Sequence, residues 1–209
     1  MQALRNKQVL LGVTGGIAAY KSAEICRRLK DLGAEVQVVM TPGGTEFMTP
    51  LTFQALSGRP VRTELFDLDA EAAMGHIELA RWADLLLIAP ASADFMARLA
   101  AGMSNDLLTT ACLATAAPIA LAPAMNQQMW AAPATARNVA RLTADGMLLW
   151  GPASGAQACG DFGAGRMLEP SDLVQRVQAL LASPSSVVHG GGDRHGDRED
   201  TQVGTQEGM

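Results

Sequence analysis

Aromatic side chains are scarce in this 209-residue chain: three Trp, one Tyr and five Phe. Beside them stand 36 Ala and 21 Gly. That balance points to thin, closely packed helices and backbone-lined turns rather than to an aromatic cage. Histidine is nearly absent. Of three, His189 and His195 fall in the last 21 residues, so His76 alone serves the body of the chain and no multi-histidine metal centre is expected. Cysteine is equally sparse. Cys26, Cys112 and Cys159 are odd in number, widely separated and without a CxxC pair, which excludes a disulfide framework and a structural zinc site and suits a reducing cytoplasm. Positive charge is in deficit: 16 basic against 21 acidic residues give −5, which repels a phosphate backbone and argues against a nucleic-acid partner. Long apolar runs are missing too. The longest, residues 111–125, contains Pro118 and Pro123 and is too short to span a bilayer. The early VLLGVTGGIAA imitates a signal peptide, but Thr14, Gly15 and Gly16 break it and it runs on into an amphipathic helix pattern.

What is present, 48% hydrophobic and 18% charged residues, suffices for one domain with a real core. Residues 8–13 read as a buried strand, then TGG, then a helix over 18–32 with Ile25, Leu29 and Leu32 on one face and Gly33 as its stop. Strands follow at 35–40 (EVQVVM), 85–89 (LLLIA), 119–122 (IALA) and 147–150 (MLLW). Helices are expected around HIELARWAD and at 92–101, 106–114 and 132–144. Residues 151–166 read as a Gly-rich loop, and a last helix runs from Pro170 to about Ala182. Alternating β and α with continuous apolar strands means a doubly wound parallel sheet in a three-layer α/β/α fold. Right-handed crossovers gather the loops after the strands at one edge, where open sheets bind ligands. Residues 183–209 carry six Gly and almost no large apolar side chains, so a disordered polar tail is expected after a domain over 1–182.

Candidate site residues cluster at that edge. The glycines of VTGGIAAYK turn backbone N–H groups and a helix dipole toward an anion, although a tight strand-to-helix turn explains them as well. Thr41 and Ser92 each follow a strand, where a helix cap is the plainer role. Asn126, after the IALA strand, has an amide able to donate to a carboxylate, against the ordinary reading of a turn residue. Cys159 lies between glycines in a loop, an unusual setting for a structural thiol, whereas Cys26 and Cys112 on helices read as small core residues. His76 opens the helix before LLLIA, a position more often taken by a surface or capping residue than by a catalyst.

Taken together, VTGGIAAYK, TPLTFQALSG, GHIELARWADLLLIAPASAD, PAMNQQMW and ACGDFGAGRM resemble the flavin-dependent cysteine decarboxylases, from about Lys7 to Leu181. The resemblance implies a flavodoxin- or Rossmann-like fold with a Gly-rich substrate flap. It implies FMN beside Gly15, Gly16, Ile17, Thr41, Phe53, Ser92, Ala93, Asp94 and Ala124. His76, Asn126 and Cys159 match the family's catalytic histidine, carboxylate-holding asparagine and flap cysteine, while Met129, Gly160 and Arg166 join Asn126 in holding substrate. The implied reaction converts 4'-phosphopantothenoylcysteine to 4'-phosphopantetheine in coenzyme A biosynthesis. A flavin oxidises the CH2–SH carbon to a thioaldehyde, CO2 leaves, and the enethiol is reduced again without nicotinamide. Similar proteins are homo-oligomers built from trimers that share active sites, which would account for a lone histidine on a surface helix.

Two departures and two rivals are apparent. Pro42, Gly43 and Gly44 after Thr41, and Asp94 where relatives often have Asn, alter cofactor contacts, and the ligase domain usual in bacterial relatives is replaced by the polar tail. The first rival is an oxidative peptidyl-cysteine decarboxylase that stops at the enethiol; the presence of Cys159 argues against it. The second, a non-catalytic flavin-binding regulatory protein, suits the acidic tail but not the joint presence of His76, Asn126 and Cys159.

Overall fold

The computed structural model describes residues 3–65, 75–158 and 160–182. Five strands form one parallel sheet: β1 Gln8–Val13, β2 Glu35–Met40, β3 Leu85–Ala91, β4 Ile119–Pro123 and β5 Leu148–Leu149, in spatial order β2-β1-β3-β4-β5. This is the flavodoxin-like order of a three-layer α/β/α domain. Each strand alternates between two cores. Val9, Leu11, Val13, Leu85, Leu87, Ala89, Ala120 and Ala122 face one side. Leu10, Leu86, Ile88, Ile119 and Leu121 face the other. Burial on both faces is why these strands read as unbroken apolar runs.

Helices α1 Ala19–Asp31, α2 Pro42–Thr45 and α3 Pro50–Ser57 follow β1 and β2. Helix α4, His76–Trp82, precedes β3; α5 Ala93–Ala100 and α6 Leu107–Ala114 follow it; α7 Gln127–Ala131 and α8 Pro133–Ala144 follow β4. The last, α9, spans Pro170–Ala182. Ile25 and Leu29 of α1, Phe53 of α3, and Leu173 and Val177 of α9 fill the first core. Leu79, Phe95, Leu99, Leu108 and Leu142 fill the second. Among the described residues no helix is long and apolar enough to cross a membrane.

The expected Gly-rich loop at 151–166 is instead a two-stranded antiparallel hairpin, β6 Ala153–Ala156 with β7 Phe162–Arg166. Glycine hid it by supplying no period-two pattern of side chains to read, while the backbone still pairs. The chain closes the turn with Gln157 N–H donating to the Asp161 carbonyl (2.8 Å) and Gly160 N–H to that of Gln157 (2.9 Å). Three short helices also lie outside the sequence expectations: α2, α3 and α7; of these, α2 and α7, of four and five residues, are too brief for a helical period to stand out. The expected polar tail lies outside the described residues.

The β1 and β2 ends are locked by backbone packing. Thr41 N–H donates to the Val13 carbonyl at 3.1 Å. Gly44 is buried, and a Cβ on it would overlap that same carbonyl oxygen. Gly44→Ala must therefore push α2 off the end of β1. The expected loss is about 1–3 kcal/mol of unfolding free energy, the scale of core overpacking; an unchanged urea midpoint would refute this account.

Candidate active-site crevice

In a sheet of this order the chain leaves β1 and β3 toward opposite faces, which opens a crevice beyond their carboxyl ends. One side chain spans the gap. Thr14, buried at the end of β1, donates its hydroxyl hydrogen to the Pro90 carbonyl at 2.7 Å and accepts the Ser92 N–H at 2.9 Å. Ser92 in turn caps α5, its hydroxyl accepting the Phe95 N–H at 3.2 Å. Thr41 caps α2 similarly, taking the Gly44 N–H at 3.2 Å. Both capping residues also line the crevice, so neither role excludes the other.

The crevice is an open cavity of about 960 Å³, at the upper end of the range for small-molecule and cofactor sites. Its walls include Gly15, Gly16, Ile17, Thr41, Ser92, Ala93, Asp94 and Ala124, eight of the nine residues expected to border a flavin. Phe53, the ninth, is fully buried in the first core and does not line it. A flat ring fits here for a local reason. The Gly15 and Gly43 backbones approach so closely that a Cβ on Gly15 would lie 3.1 Å from the Gly43 carbonyl group, so the two loops present bare backbone. Helix α1 has no side-chain cap; its Ala19 and Lys21 N–H groups donate to the Gly16 and Ala18 carbonyls at 3.0 Å, and what the helix start offers an anion such as a phosphate is the positive end of its dipole.

Asn126, Met129 and Arg166 also line the cavity, with Met129 half exposed. Asn126 caps α7: its Oδ1 accepts the Gln128 N–H at 2.7 Å, and Nδ2 donates to the Asp161 carboxylate at 3.0 Å. The hairpin is fastened against this segment. Met125 N–H donates to the Gly165 carbonyl (2.9 Å), and the Gln157 side chain accepts from Gln127 N–H (3.1 Å) while donating to the Ala164 carbonyl (3.3 Å). Gly160 sits at the hairpin turn with φ +90°, outside the cavity lining. His76, the first residue of α4, is half-buried and does not line the cavity of its own chain. Cys159 lies outside the described residues.

Charge in the cavity is divided into two groups; Asp94 and Arg166 were expected at the site, whereas Lys21, Arg98, Asn105, Asp106 and Glu169 were not. Arg98 binds Asp94 (3.0 Å), Asn105 (3.1 Å) and Asp106, and all four line the cavity. Lys21, mostly buried, pairs with Glu169 at 2.8 Å, and Arg166 reaches the same carboxylate at 3.3 Å. The Lys21 ammonium holds the Glu169 carboxyl below its ordinary range. This contact is complete at neutral pH and is lost only as the pH falls through that lowered value. Lys21 stood inside a quoted motif, but its partner Glu169, 148 positions away, carried no signal. Among the described residues no group of three or more His, Cys, Asp or Glu side chains is placed to hold a metal ion.

A parallel flavodoxin-type sheet with a glycine-walled crevice at its switch point defines a nucleotide-cofactor protein of the α/β class. More particularly, the chain belongs to the flavoprotein family, whose model matches residues 1–182. It is 66% identical over 174 residues to the Coenzyme A biosynthesis bifunctional protein CoaBC of Vibrio vulnificus (strain YJ016), covering 83% of this chain and 43% of that protein. The chain thus spans less than half the length of the curated relatives it matches. Among solved structures it is similar to a PPC decarboxylase mutant complexed with pantothenoylaminoethenethiol (34% identity, TM-score 0.75, covering 86% of this chain and 100% of that one). It is also similar to the FMN binding protein AtHal3 (34% identity, TM-score 0.74, 87% and 100%).

Two predictions follow from burial and bonding. Cys26, whose thiol is pushed up to about 11 by desolvation, and Cys112, raised by complete burial, resist iodoacetamide at pH 7 until the protein is denatured; labelling of either in the native protein contradicts the core described. Thr14→Val removes both bonds across the switch point at nearly constant volume and leaves the Ser92 N–H without that acceptor. The expected cost is about 1–3 kcal/mol in chemical denaturation; a wild-type midpoint would show that the bridge is dispensable.

Proposed function

We propose that this chain is an FMN-dependent carboxy-lyase that converts 4'-phosphopantothenoylcysteine to 4'-phosphopantetheine. The observation that carries the reading is the shared cavity: the backbone-walled slot of Gly15, Gly16 and Thr41 and the donor amide of Asn126 open into one space. The similarity to the PPC decarboxylase complex and to AtHal3 supports it.

Decarboxylating a cysteine carboxylate directly would leave an unstabilised carbanion. FMN, when bound, supplies a reversible two-electron sink for the CH2–SH carbon, which makes the carboxylate labile and leaves the whole cycle redox-neutral. The chain's own residues then have distinct tasks. Gly15, Gly16, Thr41, Ser92 and Ala124 hold the cofactor by backbone and hydroxyl contacts. Asn126, its carbonyl end tied down by Gln128 N–H, can present only its NH2 end, and so binds and orients the carboxylate that departs. Met129 and Arg166 flank the substrate. Cys159 supplies the proton that accompanies reduction of the enethiol, and the hairpin that precedes and follows it excludes water.

His76 completes the site from a neighbouring subunit. It opens α4 and does not line its own chain's cavity, which supports a trimer whose subunits share active sites as the arrangement that brings it to the substrate. There it handles a proton or steadies developing charge.

The purified protein is expected to be yellow and to form phosphopantetheine from phosphopantothenoylcysteine without nicotinamide; a colourless protein inert toward that substrate defeats the reading. Subunit sharing has its own test. His76→Asn and Asn126→Ala are each expected to lower kcat at least 100-fold. Co-expressed in equal amounts, they should recover roughly a quarter of wild-type activity, since each site draws the two residues from different copies. No recovery in verified mixed oligomers would place His76 and Asn126 of one site on the same chain.

A further inference from the structure

The reading above gives Asn126 the substrate's carboxylate. In the structure its NH2 group already holds a carboxylate, that of Asp161 at the hairpin turn, at 3.0 Å. Three features make this contact a designed geometry within the fold. The Asn126 amide cannot turn away, because its oxygen is engaged as the cap of α7. The hairpin is held in register by Gln157, whose N–H fixes the Asp161 carbonyl and whose side chain bonds both the Gln127 N–H and the Ala164 carbonyl. The hairpin also packs closely against the Asn126 segment: a Cβ on Gly163 would overlap the Gln127 side chain, and one on Gly165 the Met125 carbonyl.

We propose that Asp161 is an internal occupant of the substrate-carboxylate seat, exchanged for the carboxylate of the incoming substrate and returned when CO2 departs. The proposal rests on the decarboxylase reading, since it takes Asn126 as the seat. Two carboxylates cannot share one donor amide at full strength, and two adjacent negative charges repel. Substrate must therefore displace Asp161, and a ligand lacking the carboxylate has nothing with which to do so. The product is such a ligand. When the carboxylate has left as CO2, the Asn126 donor is open to Asp161 again, and the hairpin regains its own contact at the product's expense. Asp161 thus acts as an internal competitor for the seat: it lowers the affinity for the substrate's carboxylate and refills the seat once that carboxylate is lost. It is a positioning residue acting through Asn126; it takes no proton and forms no bond to the reacting carbon.

The test uses the flavin-loaded full chain and two readouts. Hydrogen exchange of the amides of Gln157 and Gly160 reports the latch without reference to any substrate: Asp161→Ala and Asn126→Ala should each raise it roughly ten-fold, with the double variant no faster than either single one. Steady-state kinetics report the exchange of carboxylates: Asp161→Ala should lower KM for phosphopantothenoylcysteine roughly ten-fold, while inhibition by phosphopantetheine strengthens by less. Unchanged hydrogen exchange shows that the contact does not hold the hairpin and overturns the proposal. An unaltered or raised KM in an active Asp161→Ala protein overturns it as well, leaving the decarboxylase reading intact. A wild-type protein that does not act on phosphopantothenoylcysteine defeats the decarboxylase reading itself, whatever the exchange shows.

Discussion

Everything at the site depends on a divergence of the chain. At the carboxyl ends of β1 and β3 two neighbouring parallel strands send their connections to opposite faces of the sheet, and the space between them cannot be filled by either. The Thr14 hydroxyl ties the rims together, joining the Pro90 carbonyl to the Ser92 N–H, and so fixes the width of the opening. Gly15, Gly43 and Gly44 then bring the neighbouring loops into backbone contact, leaving a shallow, flat-walled space. The sheet supplies the opening and the glycines supply its smoothness. No catalytic side chain contributes to either.

Onto this rigid edge the chain adds parts of lower stability. The hairpin of β6 and β7 belongs to a separate two-stranded sheet, joined to the main body through Met125, Gln127 and the cationic pair at Glu169. An isolated two-stranded ribbon is marginal in water. Its order therefore comes from these local bonds, which can be exchanged without disturbing either core. The cores themselves, with Phe53 and Phe95 fully enclosed, are remote from such exchange.

Strand positions were legible because burial on both faces leaves a simple trace, a short run of Val, Leu and Ile; β1 and β2 match their expected limits residue for residue. The glycines of VTGGIAAYK and the Asn of PAMN were legible because they stand directly after strands, where the fold puts ligands. The hairpin was not, since residues such as Gly155, Gly163 and Gly165 pair through backbone alone. Nor was Asp161. Its partner Asn126 lies 35 positions away, and nothing in a local pattern announces a contact made by the folding of a ribbon onto a loop. His76 was legible as a residue type and a motif, and the structure places it at the start of α4, outside the residues that line the cavity.

The hairpin has two unlike faces. Inward, Gly163 and Gly165 leave no space for even a methyl group against Gln127 and Met125. Outward, Phe162 is 76% exposed and Gly160 has no neighbouring atoms where a side chain would begin. Substitution along this ribbon is accordingly one-sided: Phe162 projects into open space, whereas a side chain at Gly165 has no room. The same asymmetry makes position 162 a place to attach a reporter dye, on the outer face of the hairpin.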